Sequence, residues 1–179
     1  MQWLNEPARW SREGGTLTVT ADAGTDFWRT TGYGYVRDNG HLYGELMAGD
    51  FDLSVRLRGS YAAQYDQAGI MVRVDARNWL KAGVEFVDGQ PRFSTVITRD
   101  YSSWAVGDLP PDAGELALAV TRRGDAVEVR FAAGGTKPRL AALAYLPPGR
   151  EALAGVMCAA PDGPGFSVAF GDLRLSAPG

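Results

Sequence analysis

Apolar and polar residues alternate with a period of two between Tyr65 and Gly89, which is typical of β-strands. The predicted apolar face of the first strand carries Ala68, Ile70, Val72 and Val74, and that of the second carries Leu80, Ala82, Val84 and Phe86. A three-residue loop over 76–78, which pairs Asp75 with Trp79, would place both sets on one side of a hairpin. The alternation therefore predicts an antiparallel hairpin with one buried face.

A second hairpin follows at Asp88-Gly89, a preferred two-residue turn because both of its positions need a positive φ. This turn sets Glu85 opposite Arg92 and Lys81 opposite Val96, and it gives a three-stranded meander. The face away from the core would carry Gln67, Arg73, Trp79, Lys81, Glu85 and Arg92. A tryptophan is costly on a solvated strand unless something stacks on it, so this face is predicted to bind a ligand.

The rest of the chain repeats short alternating segments separated by Gly- and Pro-containing turns, with no sustained helical period. This pattern predicts an all-β protein, a two-sheet antiparallel jelly-roll sandwich formed by residues 1–179 as one domain. One long loop is predicted from Arg99 to Gly114, and Trp104 would lie in it.

The segments YDQAGIMVR, WLKAGVEFVDG and SSW (Ser102–Trp104) resemble the DUF1349 family. The resemblance extends from Asp26-Phe27-Trp28 to about Phe170. It implies a concanavalin A-like fold, shared with lectins and glucanases, and some members are described as regulators of enolase levels. It implies no particular reaction. Members often carry Asp before the tryptophan of the last segment, where this chain has Ser103.

Composition excludes several classes of function. A net charge of −3 without a basic cluster argues against nucleic-acid binding. The N-terminal residues lack the pattern of a signal peptide, and no apolar run approaches the roughly 20 residues of a membrane span. A single cysteine, Cys158, forbids an internal disulfide and fits a reducing compartment. We therefore expect a cytoplasmic protein that binds neither nucleic acid nor membrane.

Glu85 is the carboxylate to consider for glycoside hydrolysis, which needs two carboxyl groups roughly 5–9.5 Å apart. The E-x-D-x-x-E strand pattern of family-16 glucanases is absent from the sequence. A cross-strand ion pair with Arg92, with Lys81 on the same face, would explain Glu85 without catalysis. Such cations would lower the pKa of Glu85 and make it a poor proton donor.

Other candidate ligand contacts lie in or beside predicted loops. Trp28 and Trp104 could stack on a sugar ring, although Trp28 after Phe27 is better explained by a small core beneath a loop. Arg73 and Lys81 could hold an anion or hydroxyl groups, or could simply balance charge. His41 is the only histidine, so neither a multi-histidine metal site nor a catalytic triad with a spare histidine is available.

These residues favour a non-catalytic binding module for a carbohydrate or another small hydroxylated or anionic ligand, bound on the concave sheet. The alternatives are a glycoside hydrolase-like enzyme, which lacks a recognisable acid pair, and a regulatory protein–protein adaptor in carbohydrate metabolism. No cofactor or metal is expected. Binding of a protein partner and formation of a homodimer both stay open as possibilities.

Overall fold

Strands make up the regular structure of the chain. The computed structural model describes residues 1–110 and 113–178, and within them the chain forms sixteen strands and no helix. In chain order the strands are β1 (Gln2–Leu4), β2 (Arg9–Glu13), β3 (Thr16–Thr20), β4 (Phe27–Arg29), β5 (Val36–Asp38), β6 (His41–Met47), β7 (Phe51–Gly59), β8 (Gln67–Asp75), β9 (Asn78–Val87), β10 (Gln90–Arg99), β11 (Tyr101–Asp108), β12 (Leu116–Arg123), β13 (Ala126–Ala133), β14 (Arg139–Tyr145), β15 (Ala152–Ala159) and β16 (Ser167–Ser176).

Two seven-stranded antiparallel sheets face each other. Sheet A has the order β1-β6-β15-β8-β9-β10-β11, and sheet B has the order β14-β13-β12-β7-β16-β3-β2. The hairpin β4–β5 forms a small third sheet. This architecture confirms the predicted all-β jelly-roll sandwich. In the part of the chain that the structure describes, no helix is long and apolar enough to cross a membrane.

The main core lies between sheets A and B. Sheet B contributes Phe51, Leu57 and Phe170, and sheet A contributes Ile70 and Leu80, all buried. Each such side chain stabilises the fold by about 1.5–3 kcal/mol through removal of apolar surface from water. One shared core is what a single domain over residues 1–179 would show, and the domain bounds stay a prediction.

The β8–β9 hairpin has the predicted faces but a different turn. Asp75 pairs with Asn78, and a bulge at Val74 then pairs Arg73 with Trp79, so the predicted pairing of Asp75 with Trp79 is wrong. The Asp75 carboxylate accepts hydrogen bonds from the Arg77 N–H at 2.7 Å and from the Asn78 amide at 3.0 Å, which tightens the turn. The shorter loop and the bulge together move the register by two residues, so the faces are unchanged.

The β9–β10 hairpin follows the prediction, with Glu85 opposite Arg92 and Lys81 opposite Val96. Asp88 and Gly89 both have positive φ, at 52° and 80°. The predicted loop from Arg99 to Gly114 is wrong over much of its length, because β11 pairs with β10 along the edge of sheet A. Positions 111 and 112 of that loop lie outside the described residues.

The hairpin β4–β5 packs on the outer face of sheet A, the face that points away from sheet B. A second apolar cluster lies beneath it. Its buried members are Phe27, Trp28, Leu42, Met71, Trp79, Val96, Leu153, Met157 and Ala159. The face that the alternation predicted as the ligand-binding surface is therefore partly a core.

Two glycines of that face serve backbone packing. Gly69 and Gly83 lie directly opposite each other on β8 and β9. A Cβ on Gly83 would lie 2.1 Å from the carbonyl oxygen of Ala68, and a Cβ on Gly69 would lie 2.0 Å from that of Ala82. Any side chain at these positions would force the two strands apart.

Candidate functional site

A cleft remains open on the outer face of sheet A, beside the second apolar cluster. The space between its walls amounts to about 440 Å³, counting the part open to solvent. Aromatic side chains from three parts of the chain form its walls: Trp28, Tyr33, Tyr35, Tyr65 and Trp104. Its polar lining consists of Asp26, Gln67, Lys81, Glu85 and Asp162, and Val96 and Pro161 complete it.

The aromatic wall is built by the β4–β5 hairpin and its connecting turn. Tyr33 stacks on Tyr35 with ring centroids 5.6 Å apart, and Trp28 meets the Tyr33 ring edge-on at 5.5 Å. The Thr30 N–H donates to the Tyr35 carbonyl at 2.7 Å, which closes the turn. The indole of Trp28 donates to the Thr31 carbonyl at 3.0 Å, so the hairpin holds its own rings in place.

The opposite wall is formed by Tyr65 and Trp104, whose rings meet edge-on at 6.1 Å. The neighbouring Tyr65 hydroxyl raises the pKa of Tyr33, and burial adds to this effect. Tyr33 and Trp104 remain 52% and 37% exposed, which leaves their rings available to a ligand. Exposed, mutually supported rings of this kind are typical of small-molecule sites.

Lys81 is only 5% exposed, and its ammonium group is occupied by protein acceptors. It donates to the Phe27 carbonyl at 2.8 Å, to the Asp26 carboxylate at 3.3 Å and to the side-chain oxygen of Gln67. An ammonium group has three protons to donate, and these three acceptors account for them. Lys81 therefore fastens the start of β4 to the floor of sheet A.

Glu85 is 6% exposed and lies beneath Trp104, whose indole donates to its carboxylate at 2.9 Å. Burial raises the pKa of Glu85, and this effect outweighs the opposing influence of Lys81, Ser94 and Trp104. The prediction that an ion pair with Arg92 lowers the pKa of Glu85 is wrong. Arg92 lies opposite Glu85 but pairs with Asp108 on the edge strand β11.

Arg73 and Trp79 lie away from the cleft. Trp79 is 1% exposed, and its ring centroid lies 6.2 Å from that of Phe27, so the predicted stacking surface is covered by β4. Arg73 binds the Asp38 carboxylate on β5 at 2.6 Å. The cation that lies near the Trp79 ring is Lys81, whose nitrogen is 5.8 Å from the ring centroid.

His41 is a buried structural residue at the start of β6. Its Nε2 accepts a hydrogen bond from the Asp22 N–H at 3.0 Å, and its Nδ1 lies 2.7 Å from the Asn5 carbonyl oxygen. Because one nitrogen accepts, the other must carry the proton and donate. His41 thus ties two N-terminal segments together instead of lying free in a turn, and it does not line the cleft.

A metal ion would need several ligating side chains close together. Within residues 1–110 and 113–178, no group of three or more His, Cys, Asp or Glu side chains could hold one. The chemistry available in the cleft is hydrogen bonding, aromatic stacking and proton exchange with Glu85.

Comparison with known proteins places the chain in a family. The family model described as "Protein of unknown function (DUF1349)" matches residues 3–178. The chain belongs to the DUF1349 family. "Regulation of enolase protein 1" of Saccharomyces cerevisiae is 39% identical over 176 residues, which cover 98% of this DUF1349 chain and 89% of that protein.

Solved structures share the fold. A functionally unknown protein from Saccharomyces cerevisiae superposes with a TM-score of 0.94 at 38% identity, over 99% of this DUF1349 chain and 96% of the other. The carbohydrate binding module CBM66 from Bacillus subtilis gives a TM-score of 0.61 at 15% identity, over 98% and 95%. The GH43 protein BlXynB of Bacillus licheniformis gives 0.75 at 18%, over 97% of this chain but 36% of that one.

The cleft of this DUF1349 protein gathers some of the predicted site residues and leaves others out. Those that line it are Trp28, Gln67, Lys81, Glu85 and Trp104, and those that do not are Arg73, Trp79, Arg92 and His41. Asp26, Tyr33, Tyr35, Tyr65 and Asp162 line it without having been predicted. The Tyr-Gly-Tyr sequence over 33–35 was a usable signal, because glycine is typical of turns and a turn would leave the two neighbouring rings near the surface.

Proposed function

We propose that this protein is a non-catalytic binding module that takes a carbohydrate or another small hydroxylated ligand in the cleft. The observation that carries the proposal is the pair of aromatic walls above a buried carboxylate. The C–H face of a sugar ring packs well on an aromatic ring, and sugar hydroxyls need fixed polar partners. Tyr33 and Trp104 would supply the rings, and Glu85 would accept a hydroxyl hydrogen bond.

The polar lining supports a hydroxylated ligand over an anion. Lys81 donates to three protein acceptors, and Arg73 is engaged by Asp38 outside the cleft. An anion would therefore meet carboxylates without a free cation among the described lining residues.

The test is a thermal-shift screen over mono- and oligosaccharides, followed by calorimetric titration with each sugar that raises the melting temperature. Trp104→Ala and Tyr33→Ala should each weaken binding about tenfold or more, because aromatic side chains dominate such contacts. Tyr101→Ala is the matched control, since Tyr101 is exposed on the same strand β11 but does not line the cleft. Equal affinity in all three variants would contradict the proposal.

A glycoside hydrolase-like enzyme is the second candidate, and the raised pKa of Glu85 is the observation that favours it. A second carboxylate would have to act with Glu85. Asp26 accepts from Lys81, Gln67 and its neighbouring Phe27 N–H, so it is held as a structural anion. Release of sugar from aryl glycosides or oligosaccharides, lost in Glu85→Gln, would establish this candidate in place of the first.

A regulatory role is the third candidate, and it rests on the name of the yeast relative, "Regulation of enolase protein 1". As an adaptor, the protein would bind a partner such as an enolase, with the cleft ligand as its signal. Size-exclusion chromatography with light scattering, with and without purified enolase, would detect this complex and would also reveal a homodimer. A cytoplasmic location, suggested by the single buried Cys158, stays part of this proposal.

A further inference from the structure

The carboxylates of the cleft outnumber its cations. Asp26, Glu85 and Asp162 line it, and Lys81 is the single cation among the described lining residues. Lys81 binds Asp26 directly, so those two charges offset each other. Glu85 at the floor and Asp162 at the exposed rim form no salt bridge within the described residues.

Glu85 lacks an ionic partner of its own. Within residues 1–110 and 113–178, no lysine, arginine or histidine nitrogen lies within 4.0 Å of its carboxylate. Its donor is the neutral indole of Trp104. A carboxylate held in this way, with little water around it, attracts a cation more strongly than an exposed one does.

The aromatic walls favour positive charge as well. The faces of tyrosine and tryptophan rings carry partial negative charge and attract cations that lie within about 6 Å of the ring centre. The Tyr35 ring already attracts one such cation, because the Arg37 guanidinium lies 4.7 Å from its centroid. Arg37 does not line the cleft, and its contact is with Tyr35. The rings of Tyr33 and Trp104 are left for a ligand.

We propose that the ligand of the cleft is an aminated sugar, whose protonated amine lies beside Glu85 while its ring packs against the aromatic walls. This inference rests on the proposed function, and it names the ligand class within it. A protonated amine supplies the positive charge that Glu85 lacks, and an ammonium hydrogen bond to a carboxylate is stronger than one from a neutral hydroxyl. An acidic sugar would add a fourth carboxylate to the cleft and is rejected.

The test compares matched sugars that share one ring and differ in a single group. Calorimetric titration would use glucosamine, N-acetylglucosamine, glucose and glucuronate, with the galacto and manno series in parallel. In at least one series the free amine should bind about tenfold or more tighter than the acetylated and neutral sugars, because charged hydrogen bonds are worth that much. Glucuronate should bind weakest.

Two variants connect this preference to the cleft. Glu85→Gln keeps an acceptor for Trp104 and should remove most of the preference for the free amine. Asp162→Asn changes an exposed residue at the rim, and it should reduce the preference by a smaller factor. Glu45 is exposed and lies outside the cleft, so Glu45→Gln is the matched control and should leave the preference for the free amine unchanged.

The outcomes separate this inference from the function on which it rests. Equal binding of glucose and glucosamine would overturn the inference and leave the carbohydrate-binding function standing. Tightest binding of glucuronate would do the same. If none of these sugars binds, the inference is overturned, and the wider screen of oligosaccharides then decides the carbohydrate-binding function. A preference for the amine that survives in both Glu85→Gln and Asp162→Asn would also overturn the inference, since the charge would then act elsewhere.

Discussion

Replacing Lys81 by methionine should strongly destabilise the protein, although the position lies on the face that the sequence predicted to be a binding surface. The change keeps the length and most of the apolar volume of the side chain but removes its ammonium group. Asp26, the Phe27 carbonyl and Gln67 would each lose a buried donor. Removing one partner of a buried ion pair costs about 3–5 kcal/mol, because the other charge stays buried and unpaired.

Urea unfolding followed by tryptophan fluorescence would measure this loss. Arg56→Met is the matched control, because Arg56 pairs with Glu115 and Asp172 at the exposed surface and should cost at most about 1 kcal/mol. Adding Asp26→Asn to Lys81→Met should recover part of the loss, since the orphaned charge is then gone. A cost for Lys81→Met no larger than that of Arg56→Met would refute the reasoning.

Two further changes test the same face. Trp79→Ala should cost about 3–5 kcal/mol in urea unfolding, because the ring is buried beneath Phe27; a loss of ligand affinity at full stability would contradict this. Burial raises the pKa of Glu85, so the unfolded chain ionises this carboxyl first as pH rises. Wild-type stability should therefore fall relative to Glu85→Gln as pH rises through the ordinary glutamate pKa, and the gap should stop widening above the raised pKa. A difference in stability that is constant with pH would contradict a raised pKa of Glu85 in the folded protein.

The period of the central strands was enough to predict which strands are neighbours and which of their residues share a face. In β8 and β9 every second residue is apolar, and a side-chain period of two fixes which residues share a face even when a turn is misjudged. The wrong turn at Asp75 shows this, because the shorter loop and the bulge at Val74 cancel in parity. The Asp88-Gly89 turn was predictable because few residue pairs tolerate two positive φ angles.

Burial on the outer face could not be predicted from the same pattern. Polar residues at alternate positions indicate which side of a strand is not the main core, but they do not indicate what else covers that side. Here β4 and β5 cover it from a distant part of the sequence, with Phe27 on Trp79 and Asp38 on Arg73. The burial of Lys81 follows from this long-range packing.

The edge strand β11 escaped prediction for a related physical reason. Nearly all of its residues are exposed on both faces, so its sequence lacks the alternation that marks a half-buried strand. Its absence from the prediction also misassigned Arg92, because the partner Asp108 lies on β11. Because Arg92 pairs with Asp108 on the edge strand, Glu85 lacks the expected cation. Burial then raises the pKa of Glu85 instead of a cation lowering it.

One hairpin links the stability of the outer face to the shape of the cleft. Lys81 holds the Phe27 carbonyl at the start of β4, and the same hairpin carries Tyr33 and Tyr35 in its turn. Loosening β4 should therefore displace one aromatic wall, so Lys81→Met should lose stability and ligand affinity together. Glu85 lies on the floor beneath the opposite wall and does not hold the hairpin. Glu85→Gln should therefore change ligand preference while the fold is retained, and this contrast distinguishes a residue that positions the wall from one that contacts the ligand.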